Sequence, residues 1–498
     1  MEKLFIGGEY VESTSRTVLE IENPATEEIL AEVPDASGED IDRAVEAARK
    51  AQREWRRVDT LERAELLHTC ADRLGEYADE LAILLTREGG KTLKENRDEV
   101  DWCMTAFRHL AEVSRASGGR VVGPTKPGQM NLVLHEPVGV VAHILPFNYP
   151  LVLMSWQVPA ALATGNACIV KPSELTPLAT LKLGEVFSVL PPGVFNVVTA
   201  SGRGSAQLVE HPHTNMIAFT GSVATGSKIM AAAAPRIKKL LLELGGSDPF
   251  IVLADSNIEV AARGAVFAAF VNAGQVCTSA ERFYIQDSIY DEFMGHALDT
   301  VKSIRVGDPF GDVDMGSLIS GQAREQVERT VGELQDRGAR VMHGGGAPAH
   351  MDGGYFYEPT LLELTDARKQ ELKREVFGPL ATFARVRDVD EAIELANDSD
   401  FGLGASIYTS SLETAMRAAT ELQAGTVWIN DPLKDNDAAP FGGQKMSGLG
   451  RELGSEGISA FTQAKHVHVD FAQVPSPEWW FPYERPNIAI PATKEALV

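Results

Sequence analysis

The sequence predicts an α/β protein with a parallel, doubly wound sheet, and two observations carry that prediction. Short apolar runs, which indicate buried strands, alternate with helical segments between about 138 and 219. A second alternation of the same kind begins near Pro249. The length of 498 residues favours two or three domains, and we place a domain boundary near 244–248, where the first alternation ends.

The N-terminal part of the chain is expected to hold short strands and turns, followed by long helices. Residues 1–37 suit the strands, with a turn at Asn23-Pro-Ala-Thr26. Apolar residues that recur every three or four positions then predict three helices. These helices start near Gly38, cover 61–88 and cover 93–117, and paired glycines at 89–90 end the second one.

The two alternations supply the remaining predicted elements. The strands predicted in the first are 138–145, 167–170, 194–198 and 216–219. The helices predicted between them are 156–163, 177–190 and 205–211. The strands predicted in the second alternation are 250–253, 282–285, 381–384 and 426–430.

Composition excludes several classes of partner. The 70 acidic residues outnumber the 46 basic ones, and a net charge of −24 argues against a nucleic-acid or anionic-membrane partner. No uninterrupted apolar run is long enough to span a bilayer, and the N-terminal residues lack a basic region followed by an apolar run, so we expect a cytoplasmic protein. The four cysteines show no metal-ligand spacing, which predicts no metal site and fits a reducing compartment.

Two stretches, Glu243-Leu-Gly-Gly and Gly274-Gln-Val-Cys277, place a carboxylate and a thiol beside small, flexible residues. A thiolate attacks carbonyl carbons, and a carboxylate can accept a proton from the thiol or from a later water. The pair therefore suggests covalent catalysis at a carbonyl. On these stretches alone, Cys277 also fits a small buried hydrophobe, and Glu243 also fits the end of a strand.

Three turns after buried strands could serve a nucleotide and a reacting carbonyl. In Pro146-Phe-Asn148-Tyr-Pro150 the asparagine amide suits an oxyanion, although it also suits a local backbone cap. Lys171-Pro-Ser-Glu174 suits a ribose, or an ordinary solvated charge pair, and its carboxylate would repel a 2′-phosphate and so favours NAD over NADP. Phe219-Thr-Gly221-Ser222 suits a phosphate at a helix start, or a plain tight turn.

A dinucleotide fingerprint of the form GxGxxG is missing from the sequence. The nearest match starts at Gly448-Leu-Gly450, but it follows no predicted strand of the first sheet and ends in leucine at 453. We therefore reject it as a cofactor site.

The five stretches, in their order, resemble the NAD(P)-dependent aldehyde dehydrogenase superfamily. Two later stretches agree, Glu375-Val-Phe-Gly-Pro379 and Pro440-Phe-Gly-Gly-Gln-Lys-Met-Ser-Gly448, so the resemblance runs from about Leu4 to His468. It implies that Cys277 attacks an aldehyde, that Asn148 holds the oxyanion, and that Glu243 activates the water that hydrolyses a thioester. The cofactor-binding residues it implies are Ile144, Phe147, Lys171, Ser173, Glu174, Gly204, Phe219, Gly221, Ser222, Leu244, Glu375 and Phe377. The substrate-tunnel residues it implies are Tyr149, Trp156 and Phe441.

The resemblance also implies an aldehyde-dehydrogenase-like fold, in which a Rossmann-type cofactor domain accompanies an α/β catalytic domain and a small β oligomerisation flap. In this sequence the corresponding ranges are 1–118 with 138–244 for the cofactor domain, 245–446 for the catalytic domain, 119–137 with 465–473 for the flap, and 474–498 for a tail. We expect a homodimer or homotetramer that uses NAD, with NADP possible. The aromatic pair Trp479-Trp480 is expected to lie across a partner subunit.

Some positions depart from relatives or leave the substrate open. Ser247 stands where relatives often carry lysine, and Phe147 where many carry tryptophan. The acidic stretch from Asp435 to Asp437 suggests tolerance of a polar or cationic aldehyde, or is simply a solvated loop. A coenzyme-A-acylating enzyme is disfavoured by Glu243, a catalytically silent paralogue by the intact catalytic set, and a cysteine hydrolase by the lack of any histidine placed near Cys277.

Overall fold

The computed structural model describes residues 2–116, 118–366, 374–473 and 479–483. The strands of this described part are β1 (Leu4–Ile6), β2 (Glu9–Val11), β3 (Val18–Asn23), β4 (Glu28–Pro34), β5 (Gly119–Val122), β6 (Gln129–Pro137), β7 (Val140–Ile144), β8 (Ala167–Lys171), β9 (Phe195–Val197), β10 (Met216–Thr220), β11 (Lys239–Glu243), β12 (Asp248–Val252), β13 (Ala280–Gln286), β14 (Arg340–His343), β15 (Thr360–Leu364), β16 (Leu380–Val386), β17 (Gly404–Tyr408), β18 (Thr426–Ile429), β19 (Gly448–Leu449) and β20 (Thr462–Asp470).

The helices of the described part are α1 (Gly38–Trp55), α2 (Thr60–Glu76), α3 (Ala78–Gly89), α4 (Leu93–Arg115), α5 (Pro150–Ala163), α6 (Leu178–Val186), α7 (Gly202–Glu210), α8 (Val223–Ala233), α9 (Ile258–Phe270), α10 (Tyr290–Lys302), α11 (Gly321–Asp336), α12 (Val389–Asn397), α13 (Leu412–Glu421) and α14 (Gly454–Ala460). Short 3₁₀ turns cover Ala234–Arg236, Val271–Gly274, Asp287–Ile289 and Lys445–Ser447.

The first large sheet is the predicted doubly wound one. Its eight strands lie in the order β19-β11-β10-β7-β8-β9-β1-β2, and the five central strands are parallel. The chain runs outward from β7 through β8 and β9, and then returns to the other side of β7 with β10 and β11. Ligands of such sheets bind at the carboxyl ends of the strands, where the order reverses. The three turns singled out in the sequence all follow β7, β8 or β10.

Both faces of this sheet are buried, which explains its uniformly apolar strands. In β7, Val141 packs into a core built mainly with α2 to α6, while Val140, Ala142 and Ile144 join a core built with α1, α7 and α8.

The second large sheet has seven strands in the order β14-β15-β16-β13-β12-β17-β18. All of its strand pairs are parallel except β14 with β15. The chain leaves the first sheet at Glu243, at the end of β11, and enters the second at Asp248, at the start of β12. It returns to the first sheet at β19, which pairs antiparallel with β11 and sets Gly448 opposite Glu243.

Residues 118–135 and 464–498 form a compact unit separate from 1–117 and 136–463. The predicted flap ranges contribute β5, β6 and β20, which form a three-stranded sheet in the order β20-β6-β5. A part of the predicted tail, 474–478 and 484–498, lies outside the described residues, and Trp479 and Trp480 are exposed. The roles of flap and tail in assembly stay predictions.

The structure differs from the predicted elements in three ways. The helix predicted over 61–88 is two helices, because Tyr77 leaves helical geometry with ψ 8° and anchors its hydroxyl to Glu185 at 2.8 Å. The helix predicted from 156 starts earlier, at Pro150, a residue whose fixed φ suits a first helical position. Strands β15 and β17 were not predicted from the sequence, although both are fully buried.

None of the described helices is both long and apolar enough to cross a membrane. Within the same residues, no group of three or more histidine, cysteine, aspartate or glutamate side chains is arranged to hold a metal ion.

Candidate active site

A cavity of about 530 Å³ opens at the carboxyl ends of β7, β10 and β11. Part of its wall comes from the turn before Cys277 and from the start of α11. The predicted site residues that line it are Phe147, Asn148, Gly221, Ser222, Glu243, Leu244, Cys277, Glu375 and Phe377. The structure therefore brings the predicted nucleophile, base and oxyanion asparagine to one cavity, together with part of the predicted cofactor set.

Cys277 follows a strained turn at the end of α9. In that turn Asn272 and Ala273 have φ values of 51° and 53°, a region that costs non-glycine residues about 1–3 kcal/mol. Two hydrogen bonds to the main chain of Asn272 offset this cost. Its main-chain N–H donates to Glu95 Oε1 at 2.9 Å, and its main-chain carbonyl accepts from Gln275 Nε2 at 3.2 Å. The turn leaves the Cys277 side chain partly exposed on the cavity wall.

Asn148 is buried and held from both of its ends. Its Nδ2 donates to the Gln275 carbonyl at 2.9 Å, so it caps distant backbone beside Cys277 instead of its own turn. Its main-chain carbonyl accepts from Lys91 Nζ at 3.2 Å and from Asn272 Nδ2 at 3.3 Å. Since an amide nitrogen carries two hydrogens, Asn148 keeps one donor for a ligand in the cavity.

Glu243 is the last residue of β11 and is 2% exposed. Neither of its carboxyl oxygens has a hydrogen-bond partner among the described residues. Burial and the neighbouring Glu452 raise its pKa well above the ordinary value. Glu452 is itself buried, and its Oε1 accepts from Gln157 Nε2 at 2.6 Å. Such a shift favours the neutral carboxyl, and the carboxylate that forms on loss of the proton is a stronger base than an ordinary one.

The pKa of the Cys277 thiol is raised by the same two kinds of cause as that of the Glu243 carboxyl. Burial raises its pKa well above the ordinary value, and the carboxyls of Asp248, Glu375, Asp435 and Glu243 raise it further. A thiol at this site therefore rests in its neutral form, and its attack on a carbonyl requires a base to accept its proton.

Some of the predicted nucleotide-binding residues lie outside the cavity wall. Lys171, at the end of β8, is 6% exposed, and burial lowers the pKa of its ammonium to about 8. Within the described residues this ammonium donates no hydrogen bond, so it remains available for a ribose hydroxyl. Glu174 is exposed, and the Ser173 hydroxyl accepts from the Leu175 N–H at 3.2 Å. Ser222 caps α8 through the Thr225 N–H, at a helix start that suits a phosphate.

Glu375 reaches the backbone that follows Glu243. Its Oε1 accepts from the Gly246 N–H at 3.3 Å, and a Cβ at Gly245 would lie 2.1 Å from its Oε2, so only glycine allows this approach. Burial raises the pKa of Glu375 to about 8. Glu281 fixes the next two residues, since its Oε1 accepts from the Val376 and Phe377 N–H groups at 2.7 and 3.1 Å.

Three further predicted cofactor residues also lie away from the cavity wall. Ile144 and Phe219 are buried in the core between the first sheet and α1, α7 and α8, and Gly204 is buried in α7. The Phe219 ring nevertheless packs close beneath Gly221, where a Cβ would lie 2.5 Å from its Cζ. Phe147 and Phe377, which do line the cavity, face each other with ring centroids 5.7 Å apart.

The predicted tunnel residues do not line this cavity, and two of them belong to an aromatic cluster. Trp156 and Phe441 are buried with ring centroids 4.7 Å apart, whereas the partly buried Tyr149 ring lies against Lys91 Nζ. Trp102 extends the cluster, with its ring centroid 5.9 Å from that of Trp156, and its Nε1 donates to Asp437 Oδ1 at 3.2 Å.

Several residues at the site carry no motif in the sequence. Ile319, Ser320, Gln322, Ala323 and Gln326 line the cavity from the start of α11. Their only local signal is Ser320, a typical helix cap, whose hydroxyl accepts from the Ala323 N–H. Glu452, Gln157 and Trp102 were also missed, because their contacts join positions far apart in the chain.

Comparison with known proteins finds similarity over nearly the whole chain. A family model described as the aldehyde dehydrogenase family matches residues 10–467. Aminoaldehyde dehydrogenase 1, peroxisomal, from Malus domestica is 40% identical over 476 residues, which are 93% of this chain and 95% of that protein. Betaine aldehyde dehydrogenase from Bacillus subtilis (strain 168) is 37% identical over 475 residues, which are 94% of this chain and 97% of that protein.

Solved structures also resemble this chain closely. The crystal structure of a betaine aldehyde dehydrogenase from Staphylococcus aureus in complex with NAD+ superposes with a TM-score of 0.93 at 35% identity. The match covers 96% of this chain and 97% of that one.

Proposed function

The chain belongs to the aldehyde dehydrogenase family, and on that premise we propose that it oxidises a cationic aldehyde to the carboxylate with NAD. The main support for this reaction is that Cys277, Asn148 and Glu243 line the same cavity. The relatives that act on betaine aldehyde and aminoaldehydes support the substrate class.

The first step is attack of the Cys277 sulfur on the aldehyde carbon. A carbon–sulfur bond forms, the carbonyl π-electrons move to oxygen, and the thiol proton leaves to a base in the cavity. The free hydrogen of Asn148 Nδ2 stabilises the oxyanion, a contribution of about 2.7–4 kcal/mol where such donors have been removed from other enzymes. The fixed contacts of Asn148 with Gln275 and Lys91 keep this donor in place before the substrate arrives.

The second half of the reaction releases the acid. Bound NAD would supply the hydride acceptor, and loss of a hydride from the thiohemiacetal on Cys277 would leave a thioester. Glu243, once deprotonated, takes a proton from water, whose oxygen attacks the thioester carbonyl and displaces the sulfur. The raised pKa of Glu243 suits this role, because a stronger base removes that proton more readily.

The residues around the cavity fit NAD. Lys171 and Glu174 would hold the adenine ribose, Ser222 and the start of α8 a phosphate, and Glu375 the nicotinamide ribose. The exposed carboxylate of Glu174 would repel a 2′-phosphate, which supports NAD over NADP. We expect NADP to become a better cofactor in Glu174→Gln, measured as the ratio of kcat/KM for the two cofactors.

The aromatic cluster with its buried acid supports a cationic substrate. Ammonium groups bind aromatic faces with about 0.5–2 kcal/mol, and carboxylates add Coulomb attraction. Asp437 is 9% exposed and fixed by Trp102, beside Trp156 and Phe441. Asp435 lies near enough to Cys277 to raise the pKa of its thiol.

The test compares betaine aldehyde with 3,3-dimethylbutanal, in which carbon replaces the charged nitrogen at nearly the same shape. We expect NADH formation from both and a kcat/KM about tenfold or more higher for the cation. Asp437→Asn is expected to remove most of this preference, and Asp431→Asn, an exposed acid before the same stretch, to leave it unchanged. Equal kcat/KM values for the two aldehydes would reject the cationic substrate, and a requirement for coenzyme A would reject hydrolysis by Glu243.

A further inference from the structure

The start of α4 and the residues just before it connect the oxyanion asparagine to the nucleophile turn, although no residue of this segment lines the active-site cavity. Lys91 lies two residues before α4, and Glu95 and Glu99 lie in its first two turns, at a spacing that places their side chains on one face of the helix. Each of the three contacts backbone either of the 148–152 segment or of the turn that leads to Cys277.

Lys91 and Glu99 form a buried ion pair beside Asn148. The exposed fractions of their side chains are 3% and 0%, and Lys91 Nζ donates to Glu99 Oε2. The same Nζ donates to the Asn148 carbonyl at 3.2 Å and lies 3.6 Å from the centroid of the Tyr149 ring. The other carboxyl oxygen, Glu99 Oε1, accepts from the Leu151 and Val152 N–H groups at 2.9 and 3.1 Å.

These contacts fix the 148–152 segment at two points. The Asn148 carbonyl is tied to Lys91, and the first turn of α5 is tied to Glu99. The direction of the Asn148 side chain then follows from its main chain. Because an oxyanion donor works only within a few tenths of an ångström of its place, this anchoring bears directly on catalysis.

Glu95 ties the nucleophile turn to the same helix. Its Oε2 accepts from the Thr92 N–H and hydroxyl in a capping box at the start of α4. Its Oε1 accepts from the Asn272 N–H at 2.9 Å, at the strained turn that leads to Cys277. One carboxylate thus caps a helix and supports a backbone conformation that is unfavourable by itself.

We propose that Lys91, Glu95 and Glu99 are positioning residues, which hold Asn148 and the Cys277 turn at a fixed separation. Stability alone does not explain the buried ion pair, because replacing such a pair with neutral groups of similar volume is often neutral or stabilising. The proposal rests on aldehyde oxidation through Cys277 and Asn148, and it adds the part of the chain that sets their geometry.

The main test removes both charges together in Lys91→Met/Glu99→Gln, so that no unpaired charge is left buried. We expect kcat for aldehyde oxidation to fall about ten- to a hundredfold, with KM within about threefold and the melting temperature nearly unchanged. The matched control is Glu88→Gln. Glu88 is equally buried and accepts from the Leu178 and Ala179 N–H groups at the start of another helix, so its loss should leave kcat unchanged.

A double-mutant cycle shows whether the ion pair acts through Asn148. In an Asn148→Ala background, the loss of Lys91 and Glu99 should change single-turnover NADH formation by less than about threefold, because the group they position is gone. Multiplicative losses would overturn the proposal, as would an unchanged kcat in Lys91→Met/Glu99→Gln or an equal loss in Glu88→Gln.

Glu95 is tested by a conservative rescue. Glu95→Ala should slow single-turnover NADH formation, and Glu95→Gln, whose amide oxygen can still accept from Asn272, should restore most of the rate. Equal rates in the two variants would remove Glu95 from the proposal. If the wild-type protein forms no NADH with any aldehyde, the proposed reaction fails, whereas normal wild-type turnover with insensitive variants refutes only the positioning role.

Discussion

At the scale of single residues, Asp248 is the acidic neighbour that most raises the pKa of Cys277, the proposed nucleophile. After burial itself, its carboxyl contributes most to the raised pKa of Cys277. Its Oδ1 accepts from the Gly404 N–H at 3.0 Å, its Oδ2 has no partner among the described residues, and burial raises its own pKa to about 8. Glu375, Asp435 and Glu243 raise the same pKa, so this chain surrounds its thiol with acidic groups.

We therefore expect Asp248→Asn to lower the pKa of the Cys277 thiol. Because Asp248 becomes charged only above about pH 8, the effect should be small at neutral pH and should grow in alkaline solution. The measurement is the rate of Cys277 alkylation by iodoacetamide across that range, with Cys277→Ala to correct for other sites. Identical pH profiles for Asp248→Asn and the wild-type protein would contradict this electrostatic account.

Glu452 should act on Glu243 in the same way. Its charge is the second cause of the raised pKa of Glu243, after burial. Glu452→Gln keeps an acceptor for Gln157 and removes the charge, so the pKa of Glu243 should fall and the basic form should appear at lower pH. We expect the rising limb of kcat against pH to move toward acid. Glu456→Gln, an exposed neighbour on α14, should leave the limb in place.

At the scale of elements, β19 pairs with the strand that ends in Glu243, the proposed general base, although β19 has only two residues. It sets Gly448 opposite Glu243, and the Leu244 N–H donates to the Ser447 carbonyl at 2.9 Å. The Ser447 hydroxyl donates to the Gly245 carbonyl at 2.8 Å and accepts from the Gly402 N–H at 3.0 Å. Gly442, with φ 148°, passes so close that a Cβ would lie 2.5 Å from Glu243 Oε1.

Ser447→Ala should therefore weaken the junction between the two sheets. The buried Gly245 carbonyl and Gly402 N–H would both lose a partner, at a cost of about 1–3 kcal/mol in the free energy of unfolding. Urea denaturation measures this loss. Ser455→Ala, which removes an exposed hydroxyl on α14, should change the free energy of unfolding by less than about 0.5 kcal/mol. If the two variants lowered the free energy of unfolding equally, the hydrogen bonds of Ser447 would not stabilise the junction more than an exposed hydroxyl does.

Elements with a strong local signal were predictable, and those defined by distant partners were not. The strand β7 and the helix α1 show clear apolar patterns, and both were predicted close to their observed bounds. The strand β19 is too short for a pattern and exists because β11 pairs with it, so Gly448-Leu-Gly450 looked like an isolated glycine motif. The break between α2 and α3 at Tyr77 was not predicted either, because the apolar face continues across it.

At the scale of the whole molecule, the candidate site joins groups from distant parts of the chain. The turns at Asn148 and Gly221 were predictable, because each follows a buried apolar strand and parallel strands bring such turns to one edge. The pairs Gln157–Glu452 and Trp102–Asp437 lie 295 and 335 positions apart, and no local pattern encodes them. The sequence alone therefore indicated the reacting groups but not the residues that tune and position them.

Buried carboxyls should make the stability of the whole chain depend on pH. Burial raises the pKa of Glu88, Asp248 and Glu375 to about 8 and that of Glu281 to about 7. In the unfolded chain these groups titrate near 4. Between about pH 5 and 8 the folded protein thus holds protons that the unfolded chain releases, so the free energy of unfolding falls as pH rises.

We expect the melting temperature to fall by about 2 °C per pH unit for each such group between about pH 5.5 and 7.5. Surface repulsion from the net charge of −24 acts in the same direction, but salt screens it, so the fall should persist in about 1 M sodium chloride. Glu88→Gln, which removes one of these carboxyls outside the wall of the active-site cavity, should make the fall shallower. A melting temperature that rises over this range in high salt would show that these carboxyls are ionised in the folded protein.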